Sequence, residues 1–422
     1  MPDGHKNSTP SSNSPAPVST KTPALKAAIM TSFDTIGIFA ENWAGSAVFS
    51  DPEFTKLNPT QLGLDVYTWM EQDMSDFYDN KIEAQTGNFN FDSRSFEQKS
   101  GSSAEEISHP ISVCDFFAAL DRPLIDQLAI RLMDWRRTAA NNLPIVALTT
   151  FVPEIASIQN PQSGRPNLVV RSLVNIGLFA AALNSKSTDS VKAIELVAGS
   201  RFADLKLNDA KLEQLKQNAP EDTEAGKFQI DLASTDDAIG RLVNHLTQAI
   251  RILRGELGGK FADLPPFALE LEPGELFVLN DADALAKVAD AIDAFENAAQ
   301  GNQEIASKIG FNLDISHWRI AGLTVAQVRN WPAVSDRIAH CHVSGHHPST
   351  HIGDTQLRHE DVSNHAPNEV LDWLKLVRDI ATAPRLRKVK FSGWVSLEYE
   401  AARNTETVAK SLSTLYSAIE TL

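Results

Sequence analysis

The sequence predicts an α/β fold, a single (β/α)8 barrel, and three observations predict it. Short apolar strands alternate with amphipathic helices from Ser112 to the C-terminus, no strand is followed by a phosphate-binding glycine loop, and ionisable residues gather at the C-terminal ends of the last four strands. Sustained alternation implies parallel strands joined by right-handed crossovers. Many open nucleotide-binding sheets carry G-x-G-x-x-G or G-x-x-x-x-G-K-[ST] at a strand-to-helix turn, and neither is present. In a closed barrel the strand ends converge on one mouth, which gives charged ends on neighbouring strands a common destination. A chain of 422 residues is long enough for one TIM barrel with insertions.

Taken in order, residues 1–24 are rich in Ser, Pro and Thr, contain no apolar run that would serve as a signal-peptide core, and read as a disordered tail. The barrel proper spans 25–422. Leu25 to Phe39 has the apolar, β-branched character of a first strand leading into a loop, and Leu64 to Trp69 of a short strand. The latter sits inside a long irregular insertion or lid over about residues 41–110, which includes the polar passage TGNFNFDSRSFEQKSGSSAEE. Asp115 to Asn141 follows as a helix interrupted near Pro123, then the strand Leu143 to Phe151, the helix Arg171 to Leu183 and the strand Val191 to Gly199. The helix Asp236 to Arg254 precedes the strand Pro266 to Glu272, and the helix Asp281 to Ala299, whose acidic run to Asp293 reads as a wet face, precedes the strand Gly310 to Ile315. The remaining pairs are the helix Thr324 to Val334 with the strand Arg337 to Val343, and the helix Asn368 to Ala381 with the strand Gly393 to Tyr399. The helix Thr405 to Leu422 closes the chain.

Bulk composition narrows the function. A formal net charge of −16 repels a phosphate backbone, so nucleic acid is not an expected partner. No apolar stretch of about 18 residues stands out, so no membrane span is expected. Cys114 and Cys341, far apart and in apolar surroundings, read as buried spacers in a reducing compartment, consistent with a cytoplasmic protein.

Side chains alternate sides along a strand, so each late strand splits into an outward and an inward row. Phe267, Leu269 and Leu271 are the outward row of FALELEPG, leaving Ala268, Glu270 and Glu272 inside. Phe311, Leu313 and Ile315 face out of GFNLDISH, Asn312 and Asp314 face in, and His317 lies just past the strand end. Ala339, Cys341 and Val343 face out of RIAHCHV, leaving Ile338, His340 and His342 inside. Val395, Leu397 and Tyr399 face out of GWVSLEYE, leaving Trp394, Ser396, Glu398 and Glu400. Glu195, with Ala193 and Val197, points inward one strand earlier. None of the four late strands turns a Lys or Arg inward, and a buried charge without a partner costs several kcal/mol. One divalent cation, Mn2+, Mg2+, Co2+ or Zn2+, resolves the imbalance, and carboxylate oxygens with imidazole nitrogen suit any of these without a thiolate to select zinc.

ALELEPG, NLDISHW, HCHVSG with the following THIGDT, and SLEYE together resemble the ligand-bearing strands of the xylose-isomerase-like TIM barrels, the superfamily that also holds the sugar phosphate isomerases and epimerases and the apurinic endonucleases. The resemblance covers about Pro144 to the C-terminus and implies Glu270, Asp314, His342 and Glu398 as metal ligands. It selects His342 over His340 and Glu398 over Glu400. His317 is implied as a substrate-contacting or supporting histidine, and His351 and Asp354 match the family's H-x-x-G-D element. It further implies proton transfer next to a carbonyl of a sugar or small polyol, through a metal-stabilised enediolate, with Glu270 and Glu398 as acid/base pair and His317 orienting a substrate oxygen. Glu195, Glu272, His351 and Asp354 would line the carbohydrate site. Isomerase, epimerase and lyase chemistry all fit such a centre, and a homo-oligomer is left open. Two other readings stand beside it: a metal-dependent phosphoesterase of the endonuclease type, and a non-catalytic barrel acting as a binding or accessory protein.

Overall fold

Eight parallel strands close on themselves. They are β1 (Lys26–Ser32), β2 (Gly63–Tyr67), β3 (Ile145–Val152), β4 (Ala193–Ala198), β5 (Phe267–Glu270), β6 (Ile309–Asp314), β7 (Ile338–Val343) and β8 (Trp394–Leu397), and they pair in that order with β8 returning to β1. The computed structural model describes residues 25–32, 62–67, 89–90, 95–96, 113–139, 142–156, 167–186, 191–199, 235–273, 277–343, 345–346, 359–360, 367–383, 387–398 and 405–422. The tail at 1–24 lies outside them, as does most of the insertion at 41–110, apart from β2 and a two-residue antiparallel pair, Phe89–Asn90 with Ser95–Phe96.

The helices that cover the barrel are α1 (Val113–Ala119), α2 (Arg122–Ala139), α3 (Leu168–Lys186), α4 (Thr235–Leu257), α5 (Ala282–Ala298), α6 (Asn302–Ala306), α7 (Ile315–Ile320), α8 (Val325–Arg329), α9 (Pro332–Ser335), α10 (Pro367–Thr382) and α11 (Thr405–Glu420). The expected break near Pro123 is real: α1 ends at Ala119, and Asp121 Oδ1 accepts from Leu124 N at the start of α2. The expected helix over Thr324 to Val334 is two short ones. Proline has no N–H and restricts the residue before it, so Trp331 takes an extended-side backbone (φ −120°, ψ 76°) and Pro332 begins a new turn.

One expectation is corrected by α3. Leu168–Lys186 is long and apolar enough to cross a membrane, yet 72% of its apolar window is buried inside the molecule, where it lies between α1, α2 and α4. Its apolarity serves the core: Gly177 has no side chain because an added Cβ would come within 2.5 Å of Leu253 Cδ1 on α4.

Outward strand residues such as Leu196, Leu269, Leu313 and Leu397 pack under the helices in one continuous cluster. Inside, the N-terminal half of the barrel is filled by two small apolar groups, Ala28 with Val146 and Trp394, and Ala268 with Ala339 and Val389. Here the simple alternation fails. The β6–β7 register shifts between Phe311 and Asn312, so Ala339 faces inward and Ile338 joins the outer cluster, the reverse of the sequence expectation. Above the shift His340 and His342 remain inside, as expected.

Arg337, just before β7, is fully buried against α5, where Nη2 lies 2.6 Å from both Asp293 Oδ1 and Glu296 Oε2. Asp293 is therefore partly buried and paired rather than part of a wet face, and Arg337 and Lys388 hold its carboxyl below the usual range against the opposing effect of burial. Arg337→Met should lower stability to chemical denaturation by about 3 kcal/mol, near the low end for breaking a buried pair because Lys388 Nζ still lies 2.6 Å from Asp293. An unchanged denaturation midpoint would show that the pair contributes nothing.

Candidate metal centre

Strand register delivers the site. Asp314 on β6 is level with His342 on β7, and His342 with Ser396 on β8. Glu398 leaves β8 one step later, with its N–H donating to Val343 O at 3.0 Å. Glu270 is level with Asn312, which donates from Nδ2 to Glu270 Oε1 at 3.2 Å. As a result Glu270, Asp314, His342 and Glu398 each bring one ligand atom within 4.8 Å of all the others. Four ligand atoms so close together could share one cation.

Asp314 has two tasks. Its Oδ1 accepts from His317 N at 2.7 Å and caps α7, which starts at Ile315 where the sequence suggested continued strand. The cap swings His317 under the mouth, where Nδ1 lies 2.9 Å from Leu271 O, 3.6 Å from Glu270 Oε1 and 3.8 Å from Glu272 Oε2. Glu270, Glu272 and His317 form a second close group around Glu270, so Glu272 stands beside the four-residue set and not in it.

Below lies a polar layer that sequence reading only half found. Asp65 on β2, Glu195 on β4, and His340 and His342 on β7 form a further group with ligand atoms within 4.8 Å, all fully buried. Glu195 was expected to point inward, and does. His340, which the resemblance passes over, belongs to this layer, with Nε2 at 2.8 Å from Asp65 Oδ2 and 3.1 Å from Ser396 Oγ. Asp65 was missed, although Leu64 and Val66 on either side are buried in the outer cluster and alternation alone would have turned it inward. His351 and Asp354 lie outside the described residues, as does Glu400.

Among the described residues, the ion partners of Asp65, Glu195 and Glu270 are imidazoles, not Lys or Arg. The electrostatic cost appears in the acidities. Burial first, then the neighbouring charges of Glu195 and Glu398, push Glu270 well above the usual carboxylate range. Burial pushes Glu398 up to about 7 despite the opposing pull of His342. Burial disfavours the imidazolium of His342, but Glu195 and Glu398 outweigh it and hold its pKa well above the ordinary value. For Asp65 burial acts upward, yet hydrogen bonds from His340 and His342 win and keep it low. Both cysteines are buried free thiols, as expected, and burial raises that of Cys341.

No family model and no curated protein matches the chain. Among solved structures it is similar to a D-tagatose 3-epimerase-like protein (13% identity, 70% of this chain and 83% of that one, TM-score 0.41). It is likewise similar to a xylose isomerase domain protein from Alicyclobacillus acidocaldarius (11%, 72% and 86%, TM-score 0.41) and to the 3-keto-D-glucoside 4-epimerase YcjR from E. coli (12%, 75% and 97%, TM-score 0.38). At such identities and scores these likenesses carry no weight for the chemistry, which rests on the side chains above.

The metal-free protein should show a stability trend with pH. Glu270, Glu398 and His342 all have raised pKa values, so the native state holds protons that the unfolded chain has released. Linkage then makes stability fall as pH rises from the ordinary glutamate value through the value of about 7 held by Glu398. The melting temperature in EDTA should decline across that window; a flat or rising profile would contradict the assigned acidities.

Proposed function

We propose that the chain is a divalent-metal-dependent isomerase or epimerase, with lyase chemistry as its near variant, acting on a sugar or small polyol by proton transfer next to a carbonyl. One observation carries the reading: the convergence of Glu270, Asp314, His342 and Glu398 at the C-terminal end of a closed barrel. The donor set fits a cation. Three carboxylates and one imidazole are buried together, and a positive charge placed between them offsets the burial and the repulsion that lift Glu270 and Glu398. Oxygen and nitrogen donors without a thiolate suit Mn2+, Mg2+, Co2+ or Zn2+.

A bound divalent ion at such a centre supplies Lewis-acid polarisation of substrate oxygens. The protein supplies the rest. Glu270 and Glu398 come from β5 and from the end of β8, with two strands between them, which supports reading them as the proton-accepting and proton-returning groups on either side of a bound substrate. His317 gives its Nδ1 side to the Leu271 carbonyl, so Nε2 is the nitrogen assigned to orient a substrate oxygen. Glu272, close to His317, is placed to accept from sugar hydroxyls at the rim. Glu195 sits lower, against His342, and its role is taken up below. The motif resemblance of the late strands, rather than the geometry, supplies the carbohydrate.

Purified protein should contain about one divalent ion per chain. Proton exchange between D2O and ketoses or keto-glycosides should stop with EDTA and return with metal. Glu270→Gln and Glu398→Gln should each reduce exchange by at least about 100-fold while leaving the far-UV circular dichroism unchanged. Wild-type exchange in either variant would remove the acid/base pair. Close to three ions per chain would favour the phosphoesterase reading, and a metal-free protein whose melting ignores EDTA would favour the accessory-protein reading.

A further inference from the structure

We infer that Asp65 and Glu195 are positioning residues for His342: they accept at its Nε2 and so turn its Nδ1 to the metal. The inference rests on the metal reading above and adds two residues to it. His342 Nε2 lies 3.0 Å from Asp65 Oδ2 and 2.7 Å from Glu195 Oε2, whereas Nδ1 lies 3.0 Å from Glu398 Oε2 and 3.8 Å from Glu270 Oε1. The ring is thus clasped on one side by the deep layer and presented on the other to the mouth. Acceptors facing one ring nitrogen favour the tautomer that carries its proton there, leaving the lone pair on the other nitrogen. Two carboxylates at Nε2 therefore select Nδ1 as the ligating atom, and they fix the ring plane as well.

The clasp is itself held. The Thr149 hydroxyl lies 2.9 Å from Asp65 Oδ1 and 2.8 Å from Glu195 Oε2, tying the two carboxylates together across β3. The other side of Asp65 meets His340 Nε2 at 2.8 Å, and His340 Nδ1 lies 3.1 Å from Ser392 Oγ. Every member from Asp65 to His342 is fully buried, so the arrangement has no water to exchange with at the surface. The same group of residues invites a rival reading as a second cation site. The deep N–O separations of 2.7–3.0 Å and the 3.0 Å between His342 Nδ1 and Glu398 Oε2 are alike hydrogen-bond distances, so the number of ions bound is what distinguishes the two readings.

The test is metal affinity, read by competition with a chromophoric chelator using Mn2+ or Zn2+ alone. Asp65→Asn, which keeps the shape and removes the charge, should weaken binding by about 10- to 100-fold. Because Asp65 acts through His342, the same substitution in a His342→Ala background should change affinity by no more than about twofold. An equal loss in both backgrounds would mark Asp65 as merely structural and overturn the inference. Wild-type protein that binds one ion while Asp65→Asn binds it equally well also overturns it, leaving the metal centre intact. Wild-type protein that binds no ion sinks the metal centre itself. Two ions per wild-type chain would place a cation between Asp65, Glu195 and His340 and overturn the positioning role. Should Asp65→Asn fail to fold, Thr149→Val removes the tying hydroxyl at nearly constant shape; measurably weaker binding supports the clasp, and unchanged binding refutes it.

Discussion

The interior of this barrel is organised around negative charge that has nowhere else to go. Asp65, Glu195, Glu270, Glu272, Asp314 and Glu398 are all buried, and the ion partners found for the first three are imidazoles. Desolvated anions at close range repel strongly and are tolerated only when something positive stands among them. In the protein alone that role falls to protons, which is why His342, Glu270 and Glu398 hold theirs so firmly. A divalent ion entering the upper layer would take over from those protons, so ion affinity and acidity describe one and the same balance.

Two layers share that burden through one ring. His342 touches the upper carboxylates with Nδ1 and the lower ones with Nε2, and no other side chain belongs to both four-residue groups. Backbone register makes this arrangement possible, because β6, β7 and β8 set Asp314, His342 and Ser396 in a row while β3 and β4 set Thr149 beside Glu195. Asp314 links the site to the chain's path as well: the oxygen that caps α7 belongs to the same carboxylate that reaches the ligand group.

Most of this was legible in the sequence because strand alternation is a strong signal wherever apolar outward rows are unbroken, as in FALELEPG and GFNLDISH. Alternation turned the polar late-strand residues and Glu195 inward, the motif resemblance singled out Glu270, Asp314, His342 and Glu398 among them, and the eight-fold closure followed from the βα rhythm and the shared strand ends. The failures have local physical causes. A register shift at Phe311 reversed the facing of Ile338 and Ala339, and alternation cannot announce a bulge. Asp65 was overlooked because its five-residue strand is embedded in irregular sequence, although its neighbours carried the pattern. Asp293 looked solvated because its partner Arg337 comes 44 residues later, a contact no local pattern encodes.

The apolar plug at the N-terminal end of the barrel has a kinetic corollary. Ala28, Val146 and Trp394, with Ala268, Ala339 and Val389, leave hydrocarbon beneath the polar layers. Hydrogen ions do not cross hydrocarbon, so the deep pair of Asp65 and Glu195 exchanges acid equivalents through polar groups, by His342 toward the rim or by His340 toward the half-buried Ser392. A molecule bound at the mouth would then block the first of these routes and leave the second, so the buried network would keep trading acid equivalents on the side away from the ligand.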